Sequence, residues 1–182
     1  MSEFTGIRYI ALLRGINVGG NKIIKMNDLK NCFVEIGFEN VVTYIQSGNV
    51  IFNSNEENQK RLEIKIEEKL SERFNYQSKI VLLTQSKLSE IIANATKDFG
   101  LKPEEYRYDV IFLKEPLTSS EAFSKIKTKE NVDFVTPGDG VLYFSRLSSQ
   151  SSQSQMTKMI GTPIYKLMTI RNWNTSTKLA EL

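Results

Sequence analysis

Residues 7–14, IRYIALLR, are mostly apolar with β-forming side chains and stop at an arginine, which predicts a strand. The period then changes. In MNDLKNCFVEIGF, Leu29, Cys32, Phe33 and Ile36 recur at i, i+3, i+4 and i+7, the apolar stripe of a helix. Asn27 is placed to cap that helix and Gly37 to end it. VVTYIQ and NVIFN, joined by Ser47-Gly48, read as a hairpin. Ser54-Asn55-Glu56-Glu57 has capping-box spacing, and Leu62, Ile66, Leu70 and Phe74 behind it mark a long amphipathic helix. The outer face of that helix mixes Glu and Lys, a solvated surface. SKIVLLT (78–84) returns to strand, so the order is β-α-β-β-α-β.

Residues 85–96 predict a connecting helix with Ser86 as its cap and Leu88, Ile91, Ile92 and Ala95 as its stripe. FGLKPEEYR is a polar loop. The order then repeats. YDVIFLK (108–114) is a strand, and Thr118–Lys127 a helix with Thr118 and Glu121 at capping-box spacing. VDFVTP (132–137) and VLYFSRL (141–147) flank the turn Gly138-Asp139-Gly140. SSQSSQSQ (148–155) reads as a mobile connection into a helix from about Met156, which Gly161-Thr162-Pro163 should interrupt. LMTIR (167–171) is a last strand, and Thr175–Leu182 a helix capped by Asn174. Two successive β-α-β-β-α-β orders predict an α+β fold of two tandem ferredoxin-like subdomains, each an antiparallel sheet with helices on one face. The expected boundaries are 1–84, a connecting helix and loop at 85–107, and 108–182 with the terminal helix.

Composition narrows the chemistry. The longest apolar run, Tyr9–Leu13, falls far short of the roughly 20 residues that cross a bilayer, so no membrane partner is expected. MSEFTGIRYI lacks the pattern of a signal peptide, and Cys32 is the one cysteine, which excludes an internal disulfide and a cysteine-built zinc cluster. Both point to the cytoplasm. The 182 residues contain no histidine, so Ser-His-Asp and Cys-His catalysis cannot be built. The net charge is +3, unevenly spread. Arg14, Lys22, Lys25 and Lys30 stand against Asp28 alone, and Lys158, Lys166, Arg171 and Lys178 against Glu181 alone in residues 156–182. The imbalance is either scatter or two basic segments that attract an anion.

Three patches carry candidate chemistry. In ALLRGINVGGNKI (11–23), Gly15 and Gly20 have the spacing of a phosphate-binding P-loop, but Lys22 arrives one residue late and no hydroxyl follows it. A nucleotide-hydrolysing loop is therefore excluded. Either the Gly19-Gly20 amides bind an anion with help from Arg14 and Lys22, or the glycines serve a tight corner. In TYIQSGNV (43–50), Gln46, Ser47 and Asn49 surround Gly48; they either bond a ligand or make the turn. In IRNWNTSTKL (170–179), Arg171 and Trp173 could grip a phosphate and stack a ring, or Trp173 could anchor a core. An RNA-recognition octamer is missing from Asn49–Asn53, which offers only Phe52.

The runs RYIALLRGINVGGNKIIKM, TYIQSGNVIF and TIRNWNTSTKL resemble a bacterial family known as domain-of-unknown-function family 1697, over essentially the whole chain. The resemblance implies two tandem ferredoxin-like subdomains and brings no catalytic residue. It marks the same three patches. The expected ligand-binding residues are Arg14, Asn17, Gly19, Gly20, Lys22, Gln46, Asn49, Arg171, Asn172 and Trp173, with no catalytic residue, metal or cofactor. The expected partner is an anionic small molecule, nucleotide-like, or a nucleic-acid backbone. Two alternatives stay open: a histidine-independent enzyme acting on a phosphorylated or nucleotide substrate, and a structural or protein-interaction module.

Overall fold

The computed structural model describes residues 6–17 and 23–182, and the chain divides into two compact units. The first runs to Lys87 and takes in Leu182; the second spans Leu88–Glu181.

The first unit contains β1 (Ile7–Leu13), α1 (Met26–Glu35), β2 (Glu39–Tyr44), β3 (Asn49–Ser54), α2 (Gln59–Phe74) and β4 (Ile80–Thr84). Its antiparallel sheet has the order β2-β3-β1-β4, the arrangement of a ferredoxin-like unit. Strand alternation turns Tyr9, Ala11 and Leu13 of β1, Val50 and Phe52 of β3, and Ile80 and Leu82 of β4 to one face. Leu29, Cys32 and Phe33 of α1 and Leu62, Ile66 and Leu70 of α2 pack on that face. Phe52 is the hub of the rings, stacked on Phe38 at 4.3 Å and edge-on to Phe33 at 5.3 Å. Burying one such ring contributes about 1.5–3 kcal/mol.

α3 (Gln85–Ala93) leads on to the second unit: β5 (Tyr106–Leu113), α4 (Ser119–Lys125), β6 (Asp133–Gly138), β7 (Val141–Leu147), β8 (Met168–Asn172) and α5 (Trp173–Glu181). The second sheet, β6-β7-β5-β8, repeats the order of the first. Ile111, Leu113, Leu142, Phe144 and Met168 form one core face with Ala122 of α4 and with Met156 and Met159. On the opposite face, the Phe99 ring meets Tyr108 at 4.9 Å and Tyr143 at 5.5 Å.

Several local expectations need correcting. α1 starts at Met26 with Lys25 at the N-cap position, so Asn27 lies inside the first turn and does not cap. The first hairpin turns through residues 45–48, not through Ser47-Gly48 alone. α2 is capped by the Asn58 side chain, which accepts from Arg61 N; Ser54 Oγ instead accepts from Glu56 N in a local turn. In α3, Thr84 Oγ1 accepts from Lys87 N, the capping role expected of Ser86. Thr118 caps α4 as its spacing predicts. α5 starts one residue earlier than Asn174, and it is Asn172 Oδ1 that accepts from Asn174 N.

The largest local difference lies between β7 and β8. In place of the helix expected from Met156 stand two short 3-10 helices, Met156–Met159 and Ile164–Leu167, and a third, Ser148–Gln153, precedes them. SSQSSQSQ thus takes helical turns of its own instead of forming a plain connection. Serine competes for backbone hydrogen bonds and Gly161 and Pro163 break the run, so a long α-helix cannot propagate.

Candidate functional site

Two of the three patches meet inside the first unit. Past β1 the chain turns at Gly15 (φ 67°) and reaches Asn17 in the left-handed region (φ 54°). The Asn17 amide nitrogen donates to Ile24 O at 3.0 Å and to Gln46 O at 2.8 Å, while its oxygen accepts from Ile24 N at 2.7 Å. One side chain therefore closes the base of the glycine-containing segment and fastens it to the hairpin turn. Gly19, Gly20 and Lys22 lie outside the described residues.

The hairpin turn is clamped from every side. Leu13 N donates to Gly48 O at 2.8 Å, and Asn49 Nδ2 donates to Tyr44 O at 2.9 Å and to Ser47 Oγ at 3.0 Å. Ile16 is buried against Gly48, where an added Cβ would sit 2.6 Å from Ile16 Cδ1, at a backbone φ of 76°. Only glycine fits there. Ile45 holds a φ of 47°, unusual for a β-branched residue, because these clamps fix the turn around it. Asn49 is fully buried and Gln46 is exposed. Arg14 is half-buried, and its backbone N–H donates to Lys79 O at 3.0 Å.

The third patch belongs to the second unit. Arg171 is buried on β8, opposite Val110, and donates from Nη1 to Ile170 O at 2.9 Å. Burial pushes its guanidinium down to about 10. Asn172 donates to Tyr108 O at 3.2 Å and accepts from Asn174 N at 3.0 Å. Trp173, half-buried, meets Phe99 edge-on at 5.1 Å. Its ring lies on Gly100, where a Cβ would come within 2.3 Å of Trp173 Nε1. The described contacts of Asn17, Asn49 and Asn172 thus fasten backbone segments, which polar turn residues also do in the absence of a ligand.

A cluster of charges that the sequence reading passed over sits inside the second unit. Asp109, Asp133 and Arg146 share one end of its sheet. Asp133 is directly opposite Arg146 in the β6–β7 register, and Asp109 Oδ2 stands 3.5 Å from Arg146 Nη2. Burial holds the Asp109 carboxyl above its usual range, and Arg146 and Arg107 oppose that rise. The signal was present in sequence: Asp109 and Arg146 interrupt the apolar runs YDVIFL and VLYFSRL at core-facing positions.

Elsewhere, a surface groove of about 420 Å³ between α1 and α2 is lined by Cys32, Glu35, Ile36, Lys69, Glu72 and Arg73. Cys32 is only 3% exposed, and burial raises its thiol above the ordinary value. Among the described residues, no three of Cys, Asp and Glu converge to hold a metal ion, and no helix is long and apolar enough to cross a membrane.

The architecture recurs in a conserved bacterial protein from Streptococcus pneumoniae, SP0830, with a TM-score of 0.83 and 26% identity over 96% of this chain and 97% of that one. No functionally curated protein matches the sequence. The family model described as "Protein of unknown function (DUF1697)" matches residues 7–143, from the first residue of β1 to the middle of β7, and the chain belongs to that family.

Proposed function

We propose that the protein binds an anionic ligand, either nucleotide-like or a nucleic-acid backbone, at the segment between Arg14 and Lys25 of the first unit. The observation that carries this reading is the Asn17 bracket, which holds the base of that segment and bonds it to the hairpin at Gln46. Fixing the two ends of a segment on a sheet lowers the ordering cost that binding to the segment carries. The sequence puts Gly19, Gly20 and Lys22 within the loop and Arg14 and Lys25 at its ends, an excess of positive charge suited to phosphate. In the second unit, Arg171 and the ring of Trp173 are its own candidates for phosphate and ring contacts, with Asn172 beside them. Histidine is absent, so binding is a simpler reading than acid–base turnover.

Fluorescence anisotropy with a labelled single-stranded oligonucleotide and calorimetry with ATP, both at low ionic strength, test the reading. Binding should weaken as salt rises, and Lys22→Ala with Lys25→Ala should reduce the salt slope by about 0.7–0.9 per lost phosphate contact. If neither probe binds, the polar residues of these patches serve turns alone and the proposal fails.

A further inference from the structure

Asp133 is 6% exposed and its carboxylate is used unequally. Oδ2 accepts from Lys129 N and from Gln155 N, both at 2.8 Å, tying the chain before β6 to the start of the second 3-10 helix. Oδ1 is buried and has no hydrogen-bond partner among the described residues. Directly across the β6–β7 ladder, Arg146 shows the complementary defect. Its Nη2 faces Asp109, its Nη1 donates to Met156 Sδ at 3.4 Å, and its buried Nε has no partner.

An unpaired buried acceptor and an unpaired buried donor each cost about 1–3 kcal/mol, so native structures seldom leave either unsatisfied. Here they lie on facing residues of adjacent strands, whose Cβ atoms stand about 4.5–5.5 Å apart in such a ladder. The two atoms do not bond each other. A molecule that satisfies both must accept from Nε–H and donate to Oδ1. A metal cation would face the Arg146 guanidinium, and an anion would face two carboxylates. Water has both functions in the smallest volume, and buried waters occur about once per 27 residues.

We propose that one ordered water is held between Asp133 Oδ1 and Arg146 Nε, as a permanent part of the second unit. It completes the polar joint beneath the Ser/Gln-rich segment, linking β6, β7 and, through the Oδ2 bonds, the start of the 156–159 turn. The water is a ligand of the fold with a fixed pair of partners, and it explains how a mixed charge cluster is tolerated beside the Phe144 and Met156 core.

A high-resolution crystal structure of the unaltered full chain tests this. The expected result is an isolated density peak within hydrogen-bond reach of both atoms. A direct Oδ1–Nε bond, or no peak between them, overturns the proposal. In solution, the Arg146 Nε–H should show NOE and ROE cross-peaks to water of opposite sign, the mark of a long-lived bound water. Cross-peaks of the same sign would show chemical exchange with solvent and also overturn it. Arg146→Lys, which lacks Nε but keeps the charge, should lose the peak.

Discussion

Replacing Asn17 by Ala removes three hydrogen bonds at once: to Ile24 O, to Gln46 O and from Ile24 N. These bonds are partly solvated, so each contributes at the lower end of the usual ~0.5–1.5 kcal/mol. The residue also sits at φ 54°, where a Cβ-bearing residue without a local polar side chain costs about 1–2 kcal/mol. The first unit should therefore lose about 2–4 kcal/mol in Asn17→Ala. Asn17→Gly loses the same bonds but relieves the left-handed strain, so it should recover about 1 kcal/mol of that loss. Urea denaturation with an unchanged m-value measures both variants, and amide exchange of Ile24 locates the effect. If Asn17→Ala stays within about 0.5 kcal/mol of the parent and Ile24 exchange is unaltered, the bracket contributes nothing and the reading built on it fails.

Two further predictions rest on the second unit. Gly100→Ala should destabilise it by at least about 1 kcal/mol, because the position has a φ of 90° and the new methyl would overlap the Trp173 ring; an unchanged melting curve together with unchanged tryptophan fluorescence would contradict this packing. For Asp109, burial holds the folded carboxyl above its unfolded value of about 3.9, so the folded state binds the proton more tightly and stability falls as pH rises through that window. Asp109→Asn removes this slope, so its stability relative to the parent should rise with pH across the window and then level off. Parallel stability profiles for the two proteins from acid to neutral pH would refute the assignment.

Most of the element order was legible because the helices α1 and α2 carry a 3.6-residue apolar period, while β1 and β5 are short, nearly continuous runs of β-forming apolar residues. The helix ends were less legible. Asn27, Ser86 and Asn174 are all good capping residues by type, yet Lys25 occupies the N-cap position of α1 and the bonds at α3 and α5 go to Thr84 and Asn172. Several polar residues compete at each boundary, and the entry angle of the chain selects among them. The 3-10 segment defeated the sequence reading for a related reason. Met156 and Met159 stand at i and i+3, a spacing that one face of a single 3-10 turn provides as well as an α-helix does.

The candidate residues divide in the same way. Sequence alone determined that residues 14–25 are basic and glycine-rich, that histidine chemistry is absent, and that two sheets form. Those properties follow from residue identity and from short-range periodicity. Only the tertiary structure decided that Asn17 bonds Gln46, 29 residues away, and that Asp133 faces Arg146 across a ladder. A hydrogen-bonding side chain reads the same whether it meets a ligand, a distant carbonyl or water. Its partner is set by strand register and loop closure, which no local pattern encodes.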